Sequence, residues 1–253
     1  MTAPVAILGS FGDAIDFILH EREGPGGAQV GGGQLWELTV TQLKLTFAAM
    51  AIAIAVALPI GLWLGHRRRG SFLAVTVANI GRAVPSIGLV FLFFAVLGAG
   101  FTNIMLALVV LAIPPILVNA YTGVRGVDAD IVDAARGVGM SGLDVIWRVE
   151  LPLALPLVAA GIRTSTVNVI ATATLGPEGG VVTLGDPIIN PSSYGASGRL
   201  GAAIVVAVLA VIAEVALGAV ERVVTPKRVT TRAPRRAFLG LRVPPVKRRA
   251  QTT

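Results

Sequence analysis

The sequence predicts an all-α integral membrane protein with five transmembrane helices, on three observations. Of its 253 residues, 54% are hydrophobic and only 14% are charged, and the mean hydropathy is +0.79. A soluble domain carries about a quarter charged residues, so this chain lacks the charge for a surface facing water on all sides. Uncharged runs recur near the length a bilayer demands, about 20 helical residues for a hydrocarbon core of roughly 30 Å. Finally, the basic residues between those runs fall almost wholly on one side.

Residues 1–34 form an N-terminal segment outside the spans. Within it Val5–His20 is too short to cross, too acidic at Asp13 and Asp16, and lacks the basic start of a secretory signal. Phe11, Ile15, Ile18 and Leu19 recur at helical spacing. They predict either a short amphipathic helix lying on the outer face or a small helix in solvent. The glycine-rich stretch 24–33 reads as a flexible connector.

The spans follow within residues 35–221. The first covers 40–65, around the uncharged run Leu45–Gly65. Ala83 to Val124 is 42 residues without a charge, too long for one crossing. It divides at the turn-like Gly98–Asn103, giving spans at 71–97 and 103–123. The fourth span, 151–175, contains Arg163, and the fifth, 200–220, contains Glu214. Those two charges are placed to pair near the inner boundary, whereas Arg82 either lines a pathway or snorkels to the interface.

Arginine and lysine placement sets the orientation. With the first turn facing the cytoplasm, that side holds sixteen basic residues and the two outer loops hold one, Arg199. The N-terminus is then outside and the C-terminus cytoplasmic, as in a multi-pass protein of a bacterial cell membrane. Trp36 and Tyr194 fall near the outer boundary and Trp63 and Tyr121 near the inner one. The tail, 222–253, is basic and proline-rich, which predicts disorder. It is read as resting on anionic membrane lipid rather than binding nucleic acid.

Composition removes most chemistries. There is no cysteine, the histidines are His20 and His66, and three lysines stand against eighteen arginines. No glycine precedes a lysine, so there is no phosphate-cradling loop of the G-x-x-x-x-G-K-[ST] kind. Gly137–Gly142 spells G-x-G-x-x-G but follows no strand. Gly195-Ala-Ser-Gly198 resembles a serine nucleophile motif, yet no histidine base follows it. His20-Glu21 lacks the second histidine of a zinc site. The chain is read as no enzyme, with no cofactor or metal of its own.

The informative segment is the inner loop 124–150. Asp130, with Asp133 three residues on, is expected to cap one short helix, and Ser141 with Asp144 a second. Leu143, Ile146 and Trp147 share one face at i, i+3, i+4 spacing, and Pro152 marks the next helix. Ala134, Ala135, Gly137 and Gly139 make the first helix narrow. Two glycines cost it about 1 kcal/mol each in propensity, so a partner's groove is expected to support it.

Asp133-Ala134-Ala135, three residues, Gly139, nine residues, Val149-Glu150-Leu151-Pro152 resembles the E-A-A-x3-G-x9-I-x-L-P signature of ABC importer permeases. Every spacing agrees, and Asp133 and Val149 keep the charge or shape of the residues they replace. Arg82–Leu89, Gly161–Asn168 and Ala171–Thr174 resemble the branch serving glycine betaine, choline and carnitine, over about 35–220. The segment Leu175–Gly185 departs from that branch's glycine-rich run.

The resemblance implies a type I ABC importer transmembrane domain, coupled through Asp133, Ala134, Ala135, Gly139, Ser141, Val149, Leu151 and Pro152. It implies a cytoplasmic ABC ATPase dimer binding ATP and Mg, a second permease subunit, identical or paralogous, and an extracytoplasmic substrate-binding protein. That binding protein would hold the substrate cation, since this chain's few tryptophans and tyrosines are scattered. Pro85, Ser86, Asn168 and Thr172 are candidates for a translocation path; Asn168 and Thr172 share a face. The alternatives are an ATP-independent secondary transporter or channel, or a methionine or sulfonate permease within the importer class.

Overall fold

The computed structural model describes residues 3–24, 29–68 and 71–224, apart from the side chains of residues 3–10, 29, 73, 75 and 82. The expectations for Arg82 and for the tail beyond residue 224 lie outside these. Four stretches are each long and apolar enough to cross a membrane, namely Gly33–His66, Phe101–Arg125, Gly142–Gly179 and Pro191–Val224. The second expected span is two helices, so the fifth crossing is a broken one.

Helix α1 (Ala3–Leu19) leads into a short antiparallel pair, β1 (Glu21–Glu23) with β2 (Gln29–Gly31). The expected flexible connector is therefore partly a strand. Helix α1 is two-sided: Phe11, Ile15 and Leu19 are exposed, whereas Ala14 and Phe17, on its other side, are fully buried. Phe17 enters a slot that two glycines open. A Cβ on Gly198 would lie 3.1 Å from the Phe17 ring, and one on Gly201 would lie 3.0 Å from it.

Helix α2 (Gly33–His66) begins seven residues ahead of the expected 40. Leu35 and Leu38 extend it, buried in a cluster with Phe17, Leu184 and Tyr194. Further along, Gly61 and Gly65 bring it against α5 (Phe101–Arg125). A Cβ on Gly61 would meet Ala120 Cβ at 2.7 Å, and one on Gly65 would meet Val124 Cβ at 2.7 Å. Small residues four apart let membrane helices approach closely enough for dispersion contacts to hold them.

The second crossing comprises α3 (Ser71–Ala83) and α4 (Ser86–Leu97). Between them Pro85 is extended, at φ −64 and ψ 124. Proline lacks an N–H and drives the residue before it out of the helical region, so the single helix expected over 71–97 breaks here. Pro114 and Pro115 do not break α5. The helix is held on several sides, with Ile104, Leu108 and Ile116 essentially fully buried.

After α5 come α6 (Ala129–Gly137) and α7 (Gly142–Val145), then a π-helical turn, Ile146–Glu150, leading into α8 (Leu151–Thr172). A 3-10 turn, Ala173–Gly179, and α9 (Gly185–Ile189) precede α10 (Pro191–Val224), whose helical geometry is interrupted at Gly195 (φ 71, ψ 179). None of the apolar stretch of α10 is buried within this chain. Its outer surface is left to lipid or a partner.

Candidate functional site

Two places gather the residues singled out by the sequence: the elbow between α5 and α8, and a cavity between the spans. At the elbow, Asp128 rather than Asp130 caps α6, accepting the Asp130 N–H at 3.0 Å. The cap lies two residues early, which puts Asp130 in the first turn, where the helix dipole favours a carboxylate. Ser141 caps α7 as expected, its hydroxyl accepting the Asp144 N–H at 3.2 Å. The same hydroxyl donates to Asp144 Oδ2 at 2.5 Å. That bond, and then Arg148, hold the Asp144 carboxyl below its ordinary range against the opposing effect of desolvation.

Ala135 does not face outward. It packs with Val127, Val132 and Val145 in the elbow's own core, with Val149 against them. Asp133 and Ala134 are exposed, and beside them Ile131 and Val138 are 46% and 81% exposed. The outward ridge is therefore Ile131, Ala134 and Val138, at i, i+3, i+7 spacing. Nor do two glycines weaken α6. Gly137 ends it and Gly139 lies beyond it at φ 88, in open space. Only the left-handed backbone there favours glycine.

Pro152 does not interrupt the chain, which stays helical from Gly142 to Gly179. A proline ordinarily strains the turn before it, and the wider π turn Ile146–Glu150 occupies that place. Leu151 and Pro152 are half-buried. Of the expected coupling residues, Asp133, Ala134, Gly139 and Ser141 are exposed, while Ala135, Val149, Leu151 and Pro152 shape the elbow from within. Leu143, Ile146 and Trp147 do share a face, lining one apolar hollow in which Ile146 is buried and the other two are exposed.

One contact at the elbow escaped the sequence. His66, the last residue of α2, donates from Nδ1 to Glu150 Oε2 at 2.7 Å. Their side chains are 14% and 3% exposed. Eighty-four residues separate the two, so no local spacing could have paired them. The one available hint was a carboxylate immediately before the Leu-Pro step.

The second place is a cavity of about 470 Å³ lined by α3, α4, α5 and α8. Ser86, Asn168 and Thr172 all line it, together with Asn119 and Thr164. Pro114 and Pro115 contribute to its wall, and the Asn119 amide is held back against its own helix, Nδ2 donating to Pro115 O at 2.8 Å. Pro85 is not among the lining residues; it makes the break that brings Ser86 there. No charged side chain lines the cavity among the described residues. Its polar groups are hydroxyls and amides.

At the end away from the arginine-rich elbow, the segment after α8 folds back into the bundle. Thr183 and Leu184 are fully buried. Gln42 Nε2 donates to Ile170 O at 3.0 Å, and its Oε1 accepts the Leu184 N–H at 3.2 Å. Arg163 lies 3.4 Å from Glu214, as the sequence suggested, and 3.6 Å from Glu221, which it did not. No cluster able to hold a metal occurs among the described residues.

Residues 57–226 match the family described as binding-protein-dependent transport system inner membrane component. The glycine betaine/carnitine/choline transport system permease protein OpuCB of Bacillus subtilis (strain 168) is 38% identical over 200 residues, 79% of this chain and 92% of that one. The choline transport system permease protein OpuBB of the same organism is 35% identical, covering 78% of this chain and 92% of its own. The carnitine transport permease protein OpuCB of Listeria monocytogenes is 37% identical, over 79% and 93%. Among solved structures, an inward-facing form of the MetNI methionine ABC transporter superposes with a TM-score of 0.66 at 21% identity. It covers 76% of this chain and 96% of that one.

Proposed function

Because this chain belongs to the binding-protein-dependent transport system inner membrane components, as the permease subunit of an ABC importer, we propose that it carries quaternary-ammonium osmoprotectants. Glycine betaine, choline and carnitine are the named cargoes of its relatives. The chain is a multi-pass membrane subunit and no enzyme; hydrolysis of ATP belongs to the partner ATPase, and a second permease subunit completes the assembly.

In this reading ATP and Mg are held on an ATPase dimer that receives the ridge Ile131, Ala134 and Val138 of α6. An extracytoplasmic protein delivers the substrate. The basic end is cytoplasmic and the N-terminus outside, which the sixteen-to-one distribution of arginine and lysine supports. Residues 35–221 form the transport unit, flanked by the N-terminal segment and the basic tail.

One observation carries the mechanism. The elbow packs on its own core and continues without a break into α8, which lines the central cavity. A force on α6 is therefore passed to Asn168 and Thr172 as a rigid-body shift, while the His66–Glu150 contact ties the same elbow to α2. The cavity offers hydroxyls and amides but, among the described residues, no carboxylate or aromatic cage. A quaternary cation meets neutral dipoles there and passes on; tight capture belongs to the binding protein, where aromatic faces attract such cations.

The test uses the permease with its ATPase and binding protein in proteoliposomes. Ala134→Trp on the exposed ridge is expected to abolish ATPase docking and choline uptake while the permease remains folded. Normal complex formation and uptake with that variant would overturn the coupling role. Uptake of methionine in place of glycine betaine and choline would overturn the substrate class and leave the coupling role standing.

A further inference from the structure

The inner end of α2 and the elbow enclose two hollows. One, about 630 Å³, is rimmed by Arg67, Arg68 and Arg136, with Asp133 the one carboxylate among its described lining residues. The other, about 380 Å³, is almost wholly apolar, walled by Pro59, Ile60 and Trp147. Trp63, Leu143 and Ile146 line both. A basic rim and an apolar slot thus form one amphipathic groove.

The slot is not closed by this chain. Trp63, Leu143 and Trp147 are 51%, 70% and 60% exposed, an apolar surface that this chain leaves uncovered. Ile52, Val56, Ile60 and Trp63 recur at helical spacing, all exposed, so the slot continues a stripe that runs along a membrane-crossing helix. The arginines stand where that stripe ends, the level at which aromatic belts and basic residues meet headgroups.

The rim is built rather than trailing. Arg68 holds a left-handed backbone at φ 51, the one described non-glycine residue to do so. Its N–H donates to Gly65 O at 3.0 Å, its carbonyl accepts from Arg125 at 3.1 Å, and its own Nη2 reaches Val127 O at 3.4 Å. The Arg67 guanidinium lies over the Trp63 ring, 4.8 Å from its centre. Arg136 is 4.0 Å from Asp133, a loose exposed pair. Three guanidiniums face one carboxylate.

We propose that this groove binds one anionic phospholipid, its phosphate held by Arg67, Arg68 and Arg136 and its acyl chains laid along Ile60, Trp63 and Trp147. Basic pockets at the membrane boundary take anionic headgroups, which a zwitterionic lipid satisfies less well because its own cation opposes the arginines. Filled in this way, the groove braces the elbow against α2 beside the ridge of α6. The proposal rests on the membrane-spanning reading and not on the transported substrate.

The complete permease–ATPase complex is placed in bilayers of phosphatidylcholine and phosphatidylglycerol. Brominated chains, carried on one lipid or the other, quench tryptophan fluorescence. The signal from the groove is the difference between the natural chain and Trp63→Phe/Trp147→Phe. Phosphatidylglycerol is expected to quench at several-fold lower mole fraction than phosphatidylcholine. Arg67→Gln should reduce that preference about fivefold, equivalent to the roughly 1 kcal/mol a basic residue contributes near an anionic surface. Quenching by phosphatidylcholine should persist in Arg67→Gln, showing the tryptophans still face lipid. Equal quenching by the two lipids, or a preference unchanged in Arg67→Gln, would overturn the proposal. So would protection from both lipids, which would mean the ATPase covers the groove. Competition by soluble glycerol phosphate would also overturn it, by showing a free-phosphate site in place of a lipid site. A failed choline uptake assay leaves every one of these readouts intact.

Discussion

Removing the Glu150 carboxylate tests whether the elbow and α2 move as one body. The bond from His66 Nδ1 is 2.7 Å long, and the carboxylate is only 3% exposed while His66 is 14% exposed, so water cannot replace either partner. A hydrogen bond to a charged group contributes about 1.5–3 kcal/mol, and leaving the His66 ring as an unpaired, largely buried polar group adds about 1–3 kcal/mol. Glu150→Ala is therefore expected to destabilise the permease by about 3 kcal/mol or more. At about 2–4 °C per kcal/mol for a domain of this size, the midpoint of thermal unfolding should fall by roughly 6–12 °C. Glu150→Gln keeps the shape and one acceptor and should lose less than half of that. The decisive measurement is a double-mutant cycle of His66→Gln with Glu150→Gln, read both as unfolding midpoint and as substrate imported per ATP hydrolysed in proteoliposomes. Contacting residues couple by about 0.5–3 kcal/mol. Additive effects within about 0.3 kcal/mol, with an unchanged import-to-hydrolysis ratio, would refute the idea that this contact joins the two elements.

Other outcomes follow from the same geometry. Gly65→Leu drives a side chain into Val124, whose Cβ a glycine Cβ would already meet at 2.7 Å. Overpacking of this kind costs about 1–3 kcal/mol, and the yield of folded permease should drop, whereas Gly137→Ala, in open space, should leave it unchanged. Asn168→Phe fills part of the cavity of about 470 Å³. It should stop choline uptake while ATP hydrolysis continues, as measured in the same vesicles. Asp144 is held below its ordinary carboxylate value of 3.8, chiefly by the Ser141 hydroxyl. A lowered pKa means that its contribution to the elbow is present above that value and lost as pH falls through the depressed one. Ser141→Ala should move the Asp144 titration upward toward 3.8, seen by NMR or by the acid midpoint of elbow unfolding.

The elbow shows where sequence patterns stop. The Ser141 cap was legible because capping is a contact between residues three apart, as was the Asp133–Pro152 spacing that led to the family. The outward face of α6 was not. Ala134 and Ala135 are chemically alike, and only packing against Val127, Val132 and Val145 decides which of them faces outward. The same limit hid the inner side of α1, where Phe17 is buried because two glycines far along the chain leave room for it.

The amino-acid order by itself determined the membrane class, the all-helical architecture and the importer-permease family. Each of these is written in local composition or short spacing, to which the hydrophobic effect and helix geometry respond directly. Tertiary structure alone decided that the second crossing breaks at Pro85 while Pro114 and Pro115 leave α5 continuous. It alone brought Ser86, Asn168 and Thr172 to one cavity and joined His66 to Glu150. Those outcomes depend on which distant surfaces fill the space beside each residue, a quantity that no window of sequence contains.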